Sequence, residues 1–301
     1  MKQSNFDVII IGGSYSGLSA AMSLGRALRQ VLVIDSGLPC NRQTPHSHNF
    51  ITQDGEKPAV ISAKAKLQVQ VYKTVQFYTG LAVKAIKKDK GFEITTENGA
   101  VFTSRKIIFA TGVKDLLPDV AGFAECWGIS VIHCPYCHGY EVKNEKTAIL
   151  ANGEIGFEYA KLISNWTKDV RLCTNGKSGL TPEQLQILKN HDISILEDEI
   201  DSFEHNQGYI SNIVFKNGKK VDVKAVYARP PFKQHCTLPQ DLGCEINEQG
   251  LLKVDMMQKT NVPGIYASGD CTTQMRSVAI AVSTGSFAGA VLNKELIDED
   301  F

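Results

Sequence analysis

Apolar residues in this sequence occur in short uninterrupted runs that alternate with segments of helical periodicity. Residues 6–11 end in four consecutive apolar positions, and residues 12–17 form a glycine-rich turn. Residues 18–29 then place apolar side chains at helical spacing, and residues 31–34 are a second apolar run. Such runs are typical of strands buried on both faces of a parallel sheet. Strand, glycine turn, helix and strand within about thirty residues predict a βαβ unit.

The same pattern returns near the middle of the chain. Residues 147–150 and 170–173 are predicted strands, mostly apolar, and they are separated by a turn at 151–156 and a helical segment at 157–166. Two βαβ units this far apart predict two nucleotide-binding-type domains.

Alternating segments between and after these units predict antiparallel strands. Residues 91–96 and 101–103 flank Asn98-Gly99, and a similar pattern surrounds Asn217-Gly218. Asn-Gly between alternating segments favours a hairpin, so an inserted antiparallel sheet is expected. The chain closes with a helix rich in small residues, predicted from about 277 to 296.

Composition narrows the function classes. The 301 residues are 43% hydrophobic and 21% charged, as in soluble globular proteins, and Lys plus Arg equals Asp plus Glu at 32 each. A chain without net charge has no general attraction to nucleic acid or anionic lipid, so neither is predicted as a partner. The first apolar run is too short for a signal peptide or a membrane span, which predicts a cytoplasmic protein. Eight cysteines in that compartment indicate catalysis or metal binding before structural disulfides.

The first glycine turn predicts a dinucleotide site. Gly12, Ser14 and Gly17 occupy the three fingerprint positions, with Gly13 between them. The dinucleotide fingerprint has glycine at the position of Ser14, so this residue departs from it. The context still favours the fingerprint, because the turn follows a strand and opens a helix whose N-terminus can bind phosphate. Asp35 ends the next strand, where a ribose hydroxyl would bind. A glycine-rich strand-to-helix turn without a nucleotide is the alternative.

Two further apolar strands indicate which nucleotide binds. Both end in turns of small residues, made by Ala110, Thr111 and Gly112 and by Gly269 and Asp270. Together with the N-terminal turn they resemble the FAD-binding pattern of the two-domain disulfide reductase flavoproteins. The resemblance implies that Asp270 bonds the ribityl chain of FAD. It also implies that the helix beginning near Ser277 and Val278 points its N-terminus at the flavin.

Cys134-Pro135-Tyr136-Cys137 is the candidate catalytic motif. Two cysteines separated by two residues can close a small disulfide, and this arrangement lowers a thiol pKa toward ~7. A zinc knuckle is the competing interpretation, but no second C-x-x-C exists for it, so no metal is predicted. A glutaredoxin-like domain is disfavoured because the motif precedes the second βαβ unit. The other six cysteines are interpreted as buried or incidental thiols: Cys40, Cys126, Cys173, Cys236, Cys244 and Cys271.

Residues 133–141 resemble the active-site segment of low-molecular-weight thioredoxin reductases and related dithiol oxidases, and the order of motifs extends that resemblance over the whole chain. It implies a homodimer in which Cys137 lies next to the flavin and Cys134 attacks a partner, either a thioredoxin-like protein or a small dithiol or disulfide. His138 stands where typical reductases carry an acid, which predicts a proton-transfer role. A loop histidine without function is the alternative for His138, and His133 is interpreted as structural.

The second glycine turn departs from the family. It matches the fingerprint only as Ala151, Gly153 and Gly156, and Glu154 lies alongside. NADPH-dependent members carry a His-Arg-Arg run after the next strand, but residues 174–177 read Thr-Asn-Gly-Lys. NADPH binding is therefore predicted to be weak or lost, and the donor, NADPH, NADH or another, stays open. A separate departure concerns the flavin: residues 276–278 read Arg-Ser-Val where reductases place a glutamine beside it, which bears on flavin tuning or oxygen reactivity.

The sequence thus predicts an α/β protein of two Rossmann-like domains. The FAD domain is expected to be discontinuous, from 1–114 and 246–301, with the domain that carries Cys134 and Cys137 inserted at 115–245. The expected enzyme is an FAD-dependent thiol–disulfide oxidoreductase that relays electrons between FAD and a partner disulfide. Two alternatives stay open: an oxygen-dependent dithiol oxidase and a non-enzymatic flavin redox sensor.

Overall fold

The computed structural model of the chain describes residues 4–301 and divides into two units. The first unit holds the described residues up to Arg42 together with Glu56–Lys114 and Phe232–Phe301, and the second unit holds Gln43–Gly55 and Asp115–Pro231.

Strands and helices alternate along both units. The strands are β1 (Asn5–Ile11), β2 (Val31–Asp35), β3 (Val75–Thr79), β4 (Ala82–Lys88), β5 (Gly91–Thr96), β6 (Val101–Phe109), β7 (Val113–Asp115), β8 (Val131–Ile132), β9 (Thr147–Leu150), β10 (Val170–Cys173), β11 (Ser194–Leu196), β12 (Ile200–Asn206), β13 (Tyr209–Phe215), β14 (Lys220–Asp222), β15 (Ala225–Ala228), β16 (Phe232–Gln234) and β17 (Ile265–Ala267). The helices are α1 (Tyr15–Arg26), α2 (Pro58–Val69), α3 (Phe123–Cys126), α4 (Pro135–His138), α5 (Gly153–Ile163), α6 (Pro182–Asn190), α7 (Leu238–Asp241) and α8 (Val278–Asp300).

The sheet of the first unit has the order β3-β2-β1-β6-β5-β4, and β17 also pairs with β6. β1 pairs in parallel with β2 and β6, and its residues from Val8 to Ile10 are fully buried. Apolar clusters cover both faces of these strands, which explains why the sequence shows continuous runs here instead of alternation.

The small residues of α8 allow this helix to pack closely on α1. A Cβ at Gly285 would lie 2.1 Å from the carbonyl oxygen of Ser16, and one at Gly289 would lie 2.8 Å from that of Ala20. The Ser19 hydroxyl also donates to the Val282 carbonyl at 2.8 Å. The composition of the last helix therefore reflects backbone contact with α1, the helix that opens at the glycine turn.

Two predicted segments are one strand in the structure. Residues 101–103 and the apolar run at 107–109 both belong to β6, which pairs antiparallel with β5 and parallel with β1. The antiparallel strands thus extend the main sheet and do not form a separate one. α1 and α5 also begin earlier than predicted, at Tyr15 and Gly153, because each glycine turn already contains the first helical residues.

The second unit is built on a parallel sheet of order β11-β10-β9-β15-β8. A three-stranded antiparallel sheet, β12-β13-β14, accompanies it, and the predicted Asn217-Gly218 hairpin joins β13 to β14. α5 and α6 belong to this unit, as does α4, which contains Cys137 and has Cys134 as its N-cap residue. Two units of parallel sheet and helix confirm the predicted α/β class of two Rossmann-like domains.

The bounds of the units follow from local contacts. The first unit resumes at Phe232, ahead of the predicted residue 246, because β16 pairs with β7 and Gln234 donates to the carbonyls of Gly250 (2.8 Å) and Cys271 (3.1 Å). Residues 43–55 group with the second unit, where the Gln43 amide donates to the Ala124 carbonyl at 3.2 Å.

Within residues 4–301, no helix combines the length and the apolar character that crossing a membrane would require.

Candidate active site

The predicted cofactor residues of the first unit gather at one edge of its sheet. β1, β2, β6 and β17 run in parallel, so their carboxyl ends meet at the same edge. Gly12 follows β1, Asp35 ends β2, Ala110 follows β6 and Gly269 lies just beyond β17. Ligands of open α/β sheets bind in the crevice outside the carboxyl ends of the strands.

The glycine turn after β1 needs glycine for steric reasons. Gly12 has a φ of +105°, and a Cβ there would lie 2.2 Å from the Ala110 carbonyl oxygen. A Cβ at Gly17 would lie 1.8 Å from the carbonyl oxygen of Gly12, and one at Gly13 would lie 2.8 Å from the Cβ of Asp35. The turn is therefore held tightly between the ends of the first, second and sixth strands.

Asp35 fastens the turn to the end of β2. One of its carboxylate oxygens accepts the backbone N–H of Gly13 at 2.9 Å, and the other accepts that of Gly37 at 3.1 Å. These charge-assisted bonds fix the carboxylate beside the turn, where it can also face a ribose hydroxyl.

The cradle leaves polar groups for a ligand. Ser14 is the N-cap residue of α1, but its side chain makes no capping hydrogen bond. Thr111 lies in the turn after β6, next to Gly112 with a φ of +64°, and its hydroxyl oxygen is buried without a hydrogen-bond partner among the described residues. An uncapped helix N-terminus and an unsatisfied hydroxyl fit the phosphates and hydroxyls of a dinucleotide such as FAD.

Asp270 and the start of α8 complete this edge. Asp270 lies in the short turn Gly269–Cys271, and the Nε of Arg276 is 3.9 Å from its carboxylate. The Ser277 hydroxyl accepts the N–H of Ile280 at 3.2 Å, so Ser277 caps α8, of which Val278 is the first residue. The cap fixes the helix N-terminus whose partial positive charge is predicted to face the flavin.

Cys134 and Cys137 form a disulfide in the second unit, with their Cα atoms 5.3 Å apart. The four-residue helix α4 closes this loop: the N–H groups of Cys137 and His138 both donate to the Cys134 carbonyl at 3.2 Å. Tyr136 between the cysteines is 64% exposed, so a partner can reach the motif. Both thiols are used in the bridge, and residues 4–301 contain no cluster of three or more metal-ligating side chains.

His138 has an unusual environment. Burial, and secondarily the positive charge of His48, lower the pKa of His138 to about 4. The imidazole is therefore neutral at pH 7 and can accept a proton. His133, by contrast, stacks on Trp127 at 5.9 Å, and its carbonyl accepts the Tyr159 hydroxyl at 2.8 Å, which is a packing role.

The low pKa of His138 predicts a loss of stability in acid. The unfolded chain binds a proton at this residue below about pH 6.5, whereas the folded chain does so only near pH 4, so the free energy of unfolding falls as the pH drops between these values. We expect the wild type to lose about 2 to 3 kcal/mol more of its free energy of unfolding than His138→Gln between pH 7.5 and 4.5. Urea unfolding of both proteins measures this, and equal losses would contradict it.

The second glycine turn is occupied by the chain itself. The Asn152 side-chain oxygen caps α5 by accepting the N–H of Gly153 at 2.7 Å, and it also accepts the N–H of Gly179 at 2.8 Å. Its amide nitrogen donates to the carbonyls of Thr174 (3.3 Å) and Lys177 (3.0 Å). These four bonds, here called the Asn152 clamp, fasten the loop after β10 to the helix N-terminus that would otherwise be available for a pyrophosphate.

Most of the other cysteines are buried and inert. Burial raises the pKa of Cys173 and of Cys271 to about 12, so neither forms a thiolate at neutral pH. Cys40 differs because it is exposed.

Sequence reasoning missed three features of the site. The Asn152 clamp and the unsatisfied Thr111 hydroxyl depend on side-chain geometry that no spacing reveals. His48 lies far from Cys137 in sequence, and no motif connects the two residues. The only available signal was that residues 46–48 place two histidines in one short loop.

Comparisons with known proteins agree with this geometry. The family model for pyridine nucleotide-disulphide oxidoreductases matches residues 6–285. Thioredoxin reductase sirT of Leptosphaeria maculans is 30% identical and aligns over 99% of this chain and 96% of its own length. Thioredoxin reductase tcpT of Claviceps purpurea is 32% identical and also aligns over 99% of this chain and 96% of its own length. The crystal structure of Bacillus anthracis TrxB, assigned as a thioredoxin reductase, superposes with a TM-score of 0.93 at 31% identity, covering 98% of this chain and 100% of that one.

Proposed function

The chain belongs to the pyridine nucleotide-disulphide oxidoreductase family as a thioredoxin-reductase-like, FAD-dependent enzyme, and from this premise we propose that Cys134 and Cys137 exchange electrons between FAD and a partner's thiols or disulfide. The observation that carries the proposal is the closed Cys134–Cys137 disulfide at the start of α4, followed directly by the neutral imidazole of His138.

The FAD site proposed here is the edge of the first sheet. Its ligands are the turn from Gly12 through Gly13 and Ser14 to Gly17, together with Asp35, the Ala110-Thr111-Gly112 turn, Gly269, Asp270, Ser277 and Val278. FAD supplies a two-electron acceptor and donor that the protein side chains lack. The start of α8 favours negative charge on the reduced ring.

The protein groups divide the exchange chemistry between them. A partner thiol attacks the Cys134 sulfur and gives its proton to His138, while the bond to Cys137 breaks. Cys137 leaves as a thiolate and recovers the proton from His138, so one thiol is consumed and one is formed. In the reverse direction the Cys134 thiolate attacks a partner disulfide, and the same proton moves back.

The Asn152 clamp favours the dithiol oxidase as the second candidate. A pyridine nucleotide would have to displace four hydrogen bonds at the start of α5, next to the Glu154 carboxylate, which accepts the Gln184 amide at 2.6 Å. No arginine pair stands in residues 174–177 to bind a 2′-phosphate. In this candidate two electrons and two protons pass from a small dithiol to O₂, giving a disulfide and H₂O₂.

Anaerobic titration of the FAD-loaded protein distinguishes these functions. We expect dithiothreitol to bleach the flavin absorbance, and NADPH and NADH to do so at least about tenfold more slowly because the Asn152 clamp closes their site. Recovery of the colour in air, with catalytic turnover of dithiol and O₂, would favour the oxidase. Rapid bleaching by stoichiometric NADPH or NADH would contradict the expectation and favour a nicotinamide-driven reductase, and bleaching without turnover would favour a redox sensor.

We further propose that this chain forms a homodimer and works in the cytoplasm, with a thioredoxin-like protein or a small dithiol as its partner. α2 and the turn after it support the dimer because they expose Val60 (45%), Leu67 (66%) and Val71 (69%), and exposed apolar patches mark interaction sites. The buried thiols that form no disulfide support a reducing compartment. Sedimentation velocity should give twice the 33.0 kDa chain mass, and a monomer at micromolar concentration would exclude the dimer.

A further inference from the structure

Trp166 lies in the turn after α5, in the same unit as the disulfide. Its backbone is fastened on both sides: the N–H donates to the carbonyl of Ile163 at 2.9 Å, and the carbonyl accepts the N–H of Asn144 at 3.0 Å. The next residue, Thr167, donates its hydroxyl to the carbonyl of Glu145 at 2.8 Å. These bonds tie the turn to the segment that follows α4, so the indole is held in a fixed place beside the C-x-x-C motif.

The indole of Trp166 contacts α4 at two points. Its ring meets the ring of Tyr136 edge-on, with the centroids 5.6 Å apart and the planes at 88°, which is a favourable geometry for an aromatic pair. The indole also lies against Gly139, the C-cap residue of α4, where a Cβ would come within 2.8 Å of the indole nitrogen. Trp166 therefore touches both the segment between the two cysteines and the end of the helix that carries them.

The backbone of α4 supplies only short-range support. The N–H groups of Cys137 and His138 donate to the carbonyl of Cys134 at 3.2 Å, and that of Gly139 donates to the carbonyl of Pro135 at 2.7 Å. A helix of four residues is far too short to be stable by itself. Once the disulfide opens, the form of this segment therefore depends on its contacts with the rest of the unit.

We propose that Trp166 is a positioning residue of the disulfide centre: its contacts with Tyr136 and Gly139 hold α4 in the geometry that the disulfide requires. A contact that fits the closed segment stabilises the disulfide in full, but it stabilises the dithiol only as far as the open segment keeps the same form. Trp166 therefore favours the disulfide over the dithiol, and its removal should make the pair easier to reduce. This inference rests on the proposed function, in which Cys134 and Cys137 cycle between the two forms.

Anaerobic equilibration of the FAD-loaded full chain with dithiothreitol measures this preference. One dithiothreitol and the Cys134–Cys137 disulfide give two protein thiols and one cyclic dithiothreitol disulfide, so two electrons and two protons move. The open fraction is trapped with N-ethylmaleimide and measured by mass spectrometry of the peptide that contains both cysteines. In Trp166→Ala, the ratio of reduced to oxidised dithiothreitol that opens half of the pair should be about fivefold lower than in the wild type.

Three further variants separate the ring contact from other effects of the substitution. Trp166→Phe keeps a ring in place and should bring the half-opening ratio to within about twofold of the wild type. Tyr209→Ala is the matched control, because it removes a 59% exposed ring from β13 of the same unit, and it should leave the ratio unchanged. Tyr136→Ala should lower the ratio less in the Trp166→Ala background than in the wild type, because the two rings form one shared contact.

An unmoved half-opening ratio in Trp166→Ala, or the same movement in Tyr209→Ala, would overturn the inference. Urea unfolding shows which variants fold. If Trp166→Ala does not fold, Tyr136→Ala takes its place, because the side chain of Tyr136 is mostly exposed, and an unmoved ratio there would also overturn the inference.

The two proposals fail differently. If dithiothreitol opens the wild-type disulfide without bleaching the flavin, the proposed function is wrong, while the comparison of half-opening ratios still decides the role of Trp166. If the wild type passes electrons from dithiothreitol to FAD and Trp166→Ala has the wild-type ratio, only the role of Trp166 is wrong.

Discussion

Replacing Cys137 with serine is expected to lower thiol–disulfide turnover by at least about 1,000-fold while FAD stays bound. The disulfide is the only redox-active pair that the structure closes within residues 4–301. Without Cys137, Cys134 can form a mixed disulfide with a partner but has no second sulfur to resolve it. Steady-state turnover and the flavin absorbance of the purified variant measure the two halves of this expectation.

Cys40→Ser is the matched control for that experiment. Cys40 is an exposed cysteine of the first unit, and it takes no part in the bridge. Its replacement should leave turnover within about twofold of the wild type, because surface substitutions away from a site have small effects. Retained turnover in Cys137→Ser would refute the relay, and loss of turnover in Cys40→Ser would indicate a second essential thiol.

Gly17→Ala is expected to yield a protein that binds little FAD, with a cofactor content below about one tenth of the wild type. The new methyl group would be 1.8 Å from the Gly12 carbonyl oxygen, so either the turn or the first residues of α1 must move. The turn and the first residues of α1 are both proposed to face the pyrophosphate of FAD, and a displacement of about 1 Å is enough to misplace their hydrogen-bond donors. The absorbance ratio of flavin to protein after purification measures this.

Gly99→Asn is the matched control for the glycine substitution. Gly99 has a φ of +77°, which asparagine tolerates, and a Cβ there would meet nothing within 4 Å. This variant should keep its full FAD content and its unfolding midpoint. Normal FAD content in Gly17→Ala would show that the glycine turn does not hold the cofactor, whereas loss of FAD in Gly99→Asn would indicate a general folding defect.

Much of the fold could be predicted because its signals are local. The apolar runs at residues 8–11 and 31–34 became buried parallel strands, since strands covered on both faces need continuous apolar sequence. The hairpin at Asn217-Gly218 could also be predicted from the sequence, because that dipeptide readily adopts the backbone conformation of a hairpin turn. The sequence does not show that residues 101–103 and 107–109 belong to one strand, β6, since a strand with both antiparallel and parallel partners has no single periodicity.

The sequence by itself determined which family this protein belongs to and predicted its chemistry, because the glycine turn, the C-x-x-C pair and the histidine after it are patterns of residue type and spacing alone. Only the tertiary structure decided how these groups are tuned. The Asn152 clamp holds the second turn, residues 43–55 belong to the unit that contains the disulfide, and burial keeps the imidazole of His138 neutral. The physical reason is that motifs are short-range patterns, whereas hydrogen bonding, burial and charge depend on neighbours that only folding brings together.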